Sequence, residues 1–227
     1  MAAVDTISGH TVSVSALLML ADGRFPDGSH AHSFGIEAAV AMGRVHDPDS
    51  LHRYIGVRLW TTTRTDAAAA VLAARGDHAL DDIDSALTLR QPSRATREAS
   101  RSLGRSLVRT AARLWPGREP RLTDGRPPLQ PIALGAVATL AGCGPLEAAL
   151  CTTHAAAASL SGAALRLLGL DPFAVTGVLA DLRAPVAEVA ESVQHIATPA
   201  DLPSSSTPLA ELDPELQRTI EPRLFGS

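Results

Sequence analysis

Apolar residues follow a helical period along almost the whole chain, and breaks at glycine and proline divide them into short segments. Residues 13–20 are mostly apolar and end at Ala21-Asp22-Gly23, where a helix should give way to a turn. Gly23 to Ser29 reads as a loop, because proline fixes one φ and the glycines permit positive φ. Helix resumes over 33–43, with Ile36 and Val40 on one face. Asp47-Pro48 is a start signal, an N-cap followed by proline at the first helical position, and that helix should run through Leu51, Ile55, Leu59 and Trp60. Alanine-rich 65–74 ends near Gly76, and 81–89 carries Ile83 and Leu87. A long helix begins after Ser93 and keeps its period from Thr96 to Leu114, until Trp115-Pro116-Gly117 stops it.

Residues 117–131 hold four prolines and three arginines and read as an exposed loop. Four further helices fall at 132–140, 146–168, 172–182 and 186–196. No convincing pair of strands is present. The pattern predicts an all-α fold: one compact multi-helix domain of about eight to ten helices over 1–198. A Pro/Ser-rich segment after Thr198 reads as a mobile linker to a C-terminal docking tail, so 199–227 forms a flexible appendage. In that tail Leu209, Leu212, Leu216, Ile220, Leu224 and Phe225 recur at helical spacing, an amphipathic segment that can dock in a partner's groove or back on its own domain.

Composition narrows the chemistry. Aromatics are only 3% of the 227 residues against 45% hydrophobic, so Ala, Leu and Val must build the core. All 20 basic side chains are arginine. Without lysine there is no P-loop lysine, no pyridoxal Schiff base and no lysine general base. Two cysteines, Cys143 and Cys151, make no disulfide framework. No Lys or Arg precedes Arg24, unlike the start of a signal peptide, and proline and glycine interrupt the longest charge-free run, 127–146. A cytoplasmic protein with no membrane span is expected.

Charge is unevenly placed. Ten of the arginines and only three acids lie between Arg90 and Arg126, a local charge of +7 in a chain whose net charge is −4. Arg97, Arg101, Arg105, Arg109 and Arg113 draw a stripe along one helix, opposite Leu103, Leu107, Ala111 and Leu114. A solvated face and a seat for an acidic protein partner are both compatible with it. Nucleic acid is disfavoured, since stacking aromatics are missing and the net charge is acidic. His30 and His32 are the obvious metal suspects, but they do not share a helix face and no further ligand has a recognisable spacing. A structured turn is the expectation there. His154, among alanines, reads as a buried structural histidine. No G-x-S-x-G elbow is present, so nothing points to catalysis.

The segment from Ala21 to Glu37, with Asp22, Phe25, Pro26, Gly28, Ser29, His32, Ser33, Gly35, Ile36 and Glu37, resembles the motif of the urease accessory family UreF. Gly23 and His30 depart from it, His30 standing where an aromatic is usual. Segments around Arg101, Gly104 and Arg105, around Ser161 to Arg166, and at Arg223-Leu224-Phe225 are also similar, although the M-R-H-E that usually precedes the last is replaced by Leu216-Gln217-Arg218-Thr219. The resemblance implies an all-helical cytoplasmic chaperone, not an enzyme, that forms a homodimer. It would bind UreD (UreH), recruit the GTPase UreG and serve nickel insertion into apo-urease, binding no cofactor itself because nickel and GTP are handled by the partners. Its first helix and C-terminal tail would become ordered on binding UreD. The motif positions Asp22, Pro26, Gly28, His32, Ser33, Gly35, Glu37, Arg101, Gly104, Arg105, Arg166, Arg223, Leu224 and Phe225 are the expected interface residues.

Overall fold

The computed structural model describes residues 9–205, 207–221 and 224–225. Among them no strand occurs, and helices account for the architecture. They are α1 (Gly9–Ala21), α2 (Ile36–Ala41), α3 (Pro48–Arg58), α4 (Arg64–Arg75), α5 (Leu80–Thr88) and α6 (Arg94–Leu114). There follow α7 (Gln130–Leu140), α8 (Pro145–Leu168), α9 (Pro172–Asp181), α10 (Arg183–Ser192) and α11 (Pro208–Gln217).

Local chemistry sets several boundaries. Asp47 caps α3 through the Ser50 amide, Ser50 bonds back to the Asp47 amide, and Pro48 occupies the first helical position. Ser93 caps α6 through the Thr96 amide. A π-helical turn, Leu59–Thr63, joins α3 to α4 into one continuous rod. α10 starts earlier than expected because Pro185 fits within its first turn, where a missing N–H leaves no helical bond unmade.

The centre of the bundle is α8 with α4 and α7 against it. Ala67 to Ala74 are all buried, and small side chains let these helices approach closely. At Gly135 on α7 an added Cβ would lie 2.3 Å from the Ala70 carbonyl oxygen, so no larger residue fits this crossing. Core packing continues through Leu51, Ile55 and Leu59 on one side and Ile83, Leu87 and Ile132 on the other. Full burial of each such side chain contributes about 1.5–3 kcal/mol. α8 is long and apolar enough to cross a membrane by composition, yet 56% of its most apolar stretch is buried as the central core helix. Both cysteines are buried free thiols, and desolvation pushes Cys151 up to about 12.

The linker and tail differ from their sequence reading. Thr198 and Asp201 form a capping box around a 3-10 turn, and Leu202 is buried. Arg90 donates to the carbonyls of Leu202 and Ala200, and Thr65 to that of Pro203, which ties the segment expected to be mobile onto α4 and α5. His154 is exposed rather than buried.

Candidate functional site

The tail docks on the chain's own body, and it does so by its polar face. Leu209, Leu212 and Leu224 are 54–62% exposed, whereas Asp213 and Gln217, four residues apart on α11, are fully buried. Of the expected apolar docking face, Leu209, Leu212 and Leu224 are therefore turned outward, Leu216 and Ile220 are half-buried, and Phe225 alone is buried. Asp213 receives the Arg44 guanidinium through both oxygens and the Tyr54 hydroxyl at 3.0 Å. Arg44 is held protonated by this pairing, and burial raises Tyr54, so the hydroxyl stays a donor. A buried charge without such partners would cost several kcal/mol.

Gln217 reads the glycine-rich loop. Its carbonyl accepts from Ser33 Oγ at 2.6 Å, and its amide donates to Glu37 Oε2 at 2.9 Å. The other oxygen of Glu37 accepts the Leu224 amide at 2.6 Å. Glu215 accepts from the Ala95 amide and Ser93 Oγ, both at 2.8 Å, and these bonds lower its pKa at the N-terminus of α6. Phe225 is buried, with the Arg166 guanidinium 4.4 Å over its ring, and Arg166 also donates to the His30 carbonyl.

The loop is shaped for this contact. Phe34 has φ +54, a rare conformation for a non-glycine residue, and Arg58 donates to its carbonyl at 3.1 Å. Gly35 follows with φ +88, and an added Cβ would lie 2.8 Å from Asp213 Cβ and 2.9 Å from Pro214 Cδ. Glycine is thus required twice, by its own backbone and by the tail. His32 is partly buried and stacks obliquely on Phe34 at 6.1 Å, and desolvation lowers its pKa.

Beneath the docked tail lies a cavity of about 80 Å³, bordered by the π-turn, α4, α6, Ser205, Glu211 and Pro214. Thr62 Oγ1 and Gln91 Oε1 face it without a hydrogen-bond partner among the described residues. Burial raises Asp66, which accepts from Gln91 Nε2, to about 7. Such buried polar groups call for ordered water.

The structure thus brings Ser33, Gly35, Glu37, Arg166, Leu224 and Phe225 together, with His32 alongside; Arg223 lies outside the described residues. Other motif positions lie elsewhere. Asp22 is bridged by Arg24, which draws its carboxyl down to about 2, and closes a surface turn. Pro26 accepts from Thr110, and Gly28 rests against Ser106 and Leu103 of α6. At Gly104 a Cβ would strike the Pro128 carbonyl, so that glycine seats the 115–129 loop. Arg101 is turned inward: it grips the fully buried Asp84 at 2.5 and 2.6 Å and donates to the Pro127 carbonyl. Arg105 is exposed. Neither His30 nor His32 joins a metal-ligating cluster, and no group of three such side chains occurs among the described residues.

Comparison with known proteins gives the family. The UreF profile matches residues 45–183. A urease accessory protein UreF from Mycobacterium sp. (strain JLS) is 37% identical over 217 residues, 95% of this chain and 99% of the relative. Its namesake from Mycobacterium tuberculosis (strain ATCC 25177 / H37Ra) is 40% identical over 209 residues, 92% and 95%. Another from Mycobacterium marinum (strain ATCC BAA-535 / M) is 39% identical over 160 residues, 70% and 75%.

The chain belongs to the UreF family.

As a UreF-family member it is an accessory factor of urease maturation and not an enzyme. The bonds made at the tail site are all within the chain and hold the tail on its own body. Sequence reasoning missed Arg44, Tyr54, Asp213, Glu215 and Gln217, the groups that hold the tail down. The available signal was the i, i+4 pair Asp213 and Gln217, polar on the same helix as the leucines.

Proposed function

We propose that this chain is a cytoplasmic scaffold of urease maturation: it binds UreD (UreH) as a homodimer and recruits UreG. GTP hydrolysis by that partner then drives nickel into apo-urease. The observation that carries the reading is the tail, docked by Asp213 and Gln217 with Leu209, Leu212 and Leu224 left in water. An apolar row held rigidly outward is a surface prepared for a protein partner. Val57 at the end of α3, Trp60 in the π-turn that follows it, and Phe173 at the start of the neighbouring α9 are also exposed and support a second contact, the dimer. Nickel and nucleotide belong to the partners in this reading.

The test is urea hydrolysis by a nickel-supplied urease operon expressed with and without the chain. Activity should fall on deletion and return when the wild-type chain is supplied. The Leu209→Asp/Leu212→Asp variant should fold yet fail to restore it. Full activity in the deletion strain would overturn the reading.

A further inference from the structure

We propose that the groove between the first loop and the outer face of α6 seats an acidic amphipathic helix of a partner protein. The proposal deepens the scaffold reading by naming the chemistry of one contact, and its test does not depend on urease.

The arginine stripe divides in two. Arg97 donates to the carbonyls of Gln91 and Pro92, and Arg101 is consumed by Asp84, so both serve the fold. Arg105, Arg109 and Arg113 are exposed, and none pairs with a carboxylate among the described residues. Arg109 makes only a local bond to Ser106 Oγ. Arginines at i, i+4 and i+8 recur about every 6 Å along a helix.

Arg109 and Arg113 border an open groove of about 850 Å³ between α6 and the end of α1. Met19 and Leu114, 40% and 51% exposed, line it together with buried Phe25. A cationic rail beside an apolar floor matches a helix that carries Glu or Asp at i, i+4 and i+8 with leucine-like residues on the adjoining stripe. Laid along α6, its carboxylates repeat at the same pitch as the guanidiniums, whose forked donors suit them. Nucleic acid fits less well, since the exposed lining holds no Phe, Tyr or Trp for base stacking, and His30 is its one exposed ring.

The probe is a labelled helical peptide with glutamates at i, i+4 and i+8 and leucines beside them, titrated into the full chain by fluorescence anisotropy. A lysine-for-glutamate peptide and a scramble of the same composition serve as controls. We expect the glutamate peptide alone to bind, with affinity that falls as salt rises. R109E/R113E should weaken it about tenfold, with the melting temperature unchanged because both side chains are exposed. Equal binding of the scramble, equal binding by R109E/R113E, or no binding would overturn the proposal. Urease restored by R109E/R113E would not bear on peptide binding, and a failed urease test would leave the peptide result standing, so the two readings fail separately.

Discussion

Gly35 and Asp66 each carry a conformational or electrostatic strain that the docked tail shapes. Alanine at position 35 must hold φ +88, which costs about 1–2 kcal/mol, and must also push Asp213 and Pro214 away. Gly35→Ala should therefore release the tail while the body stays folded. Limited proteolysis should cut the 203–207 segment faster, with helical circular dichroism nearly unchanged. Gly162→Ala, where nothing lies within 4 Å, is the matched control and should cut at the wild-type rate. Asp66 makes a pH prediction. Burial raises its pKa from 3.8 to about 7, so the folded state holds the proton more tightly than the unfolded state. Its share of stability is complete below about pH 4 and declines as pH rises toward 7, by at most about 1.4 kcal/mol per unit, then levels. Urea midpoints of wild type minus Asp66→Asn, measured from pH 4 to 8, should trace that decline. A flat difference would refute the burial of a neutral acid.

Along α6, one face is structure and the other is surface, and the same substitution on each should part them. Arg101→Glu sets a new carboxylate against the fully buried Asp84 and leaves the latter unpaired by its main partner, a loss of about 3–5 kcal/mol. Arg105→Glu touches an exposed position and should change stability by no more than about 0.5 kcal/mol. Chemical denaturation of the two variants checks both figures. The stripe was legible in the sequence as a period of four, but the division of labour within it was not, because Asp84 and the Pro127 carbonyl lie on other elements. The same limit applies elsewhere. Caps at Asp47 and Ser93 were legible because cap and capped amide are three residues apart. Gln217 meets Ser33 across 184 residues, so the apolar spacing of the tail suggested the wrong face. The helical class was legible throughout, since period and breaks are local. The π-turn at Leu59–Thr63 left no such mark.

For the molecule as a whole, the tail is a lid on a body that has its own core. The three apolar clusters are built almost entirely from α1 through α10, with Val193, Ile196 and Leu202 just beyond, and among the described residues Phe225 is the tail's one member in them. A chain ending at Ser205 loses that ring, worth about 1.5–3 kcal/mol, and the bonds of Asp213 and Gln217. What it uncovers, Ser33, Glu37, Arg44 and Tyr54, is polar and readily hydrated. The shortened chain should then melt cooperatively as an all-helical protein, roughly 5–10 °C below the full chain. It should also lose its Asp66 signature, because Ser205 stays at the edge while Glu211 and Pro214 no longer close the cavity. The pH dependence of its urea midpoint should collapse onto that of the Asp66→Asn full chain. If instead the slope persists after truncation, α4, α6 and the π-turn shield Asp66 from bulk solvent by themselves. The lid would then fasten the loop without sealing the cavity, and Gly35→Ala would free the tail without moving the pH profile.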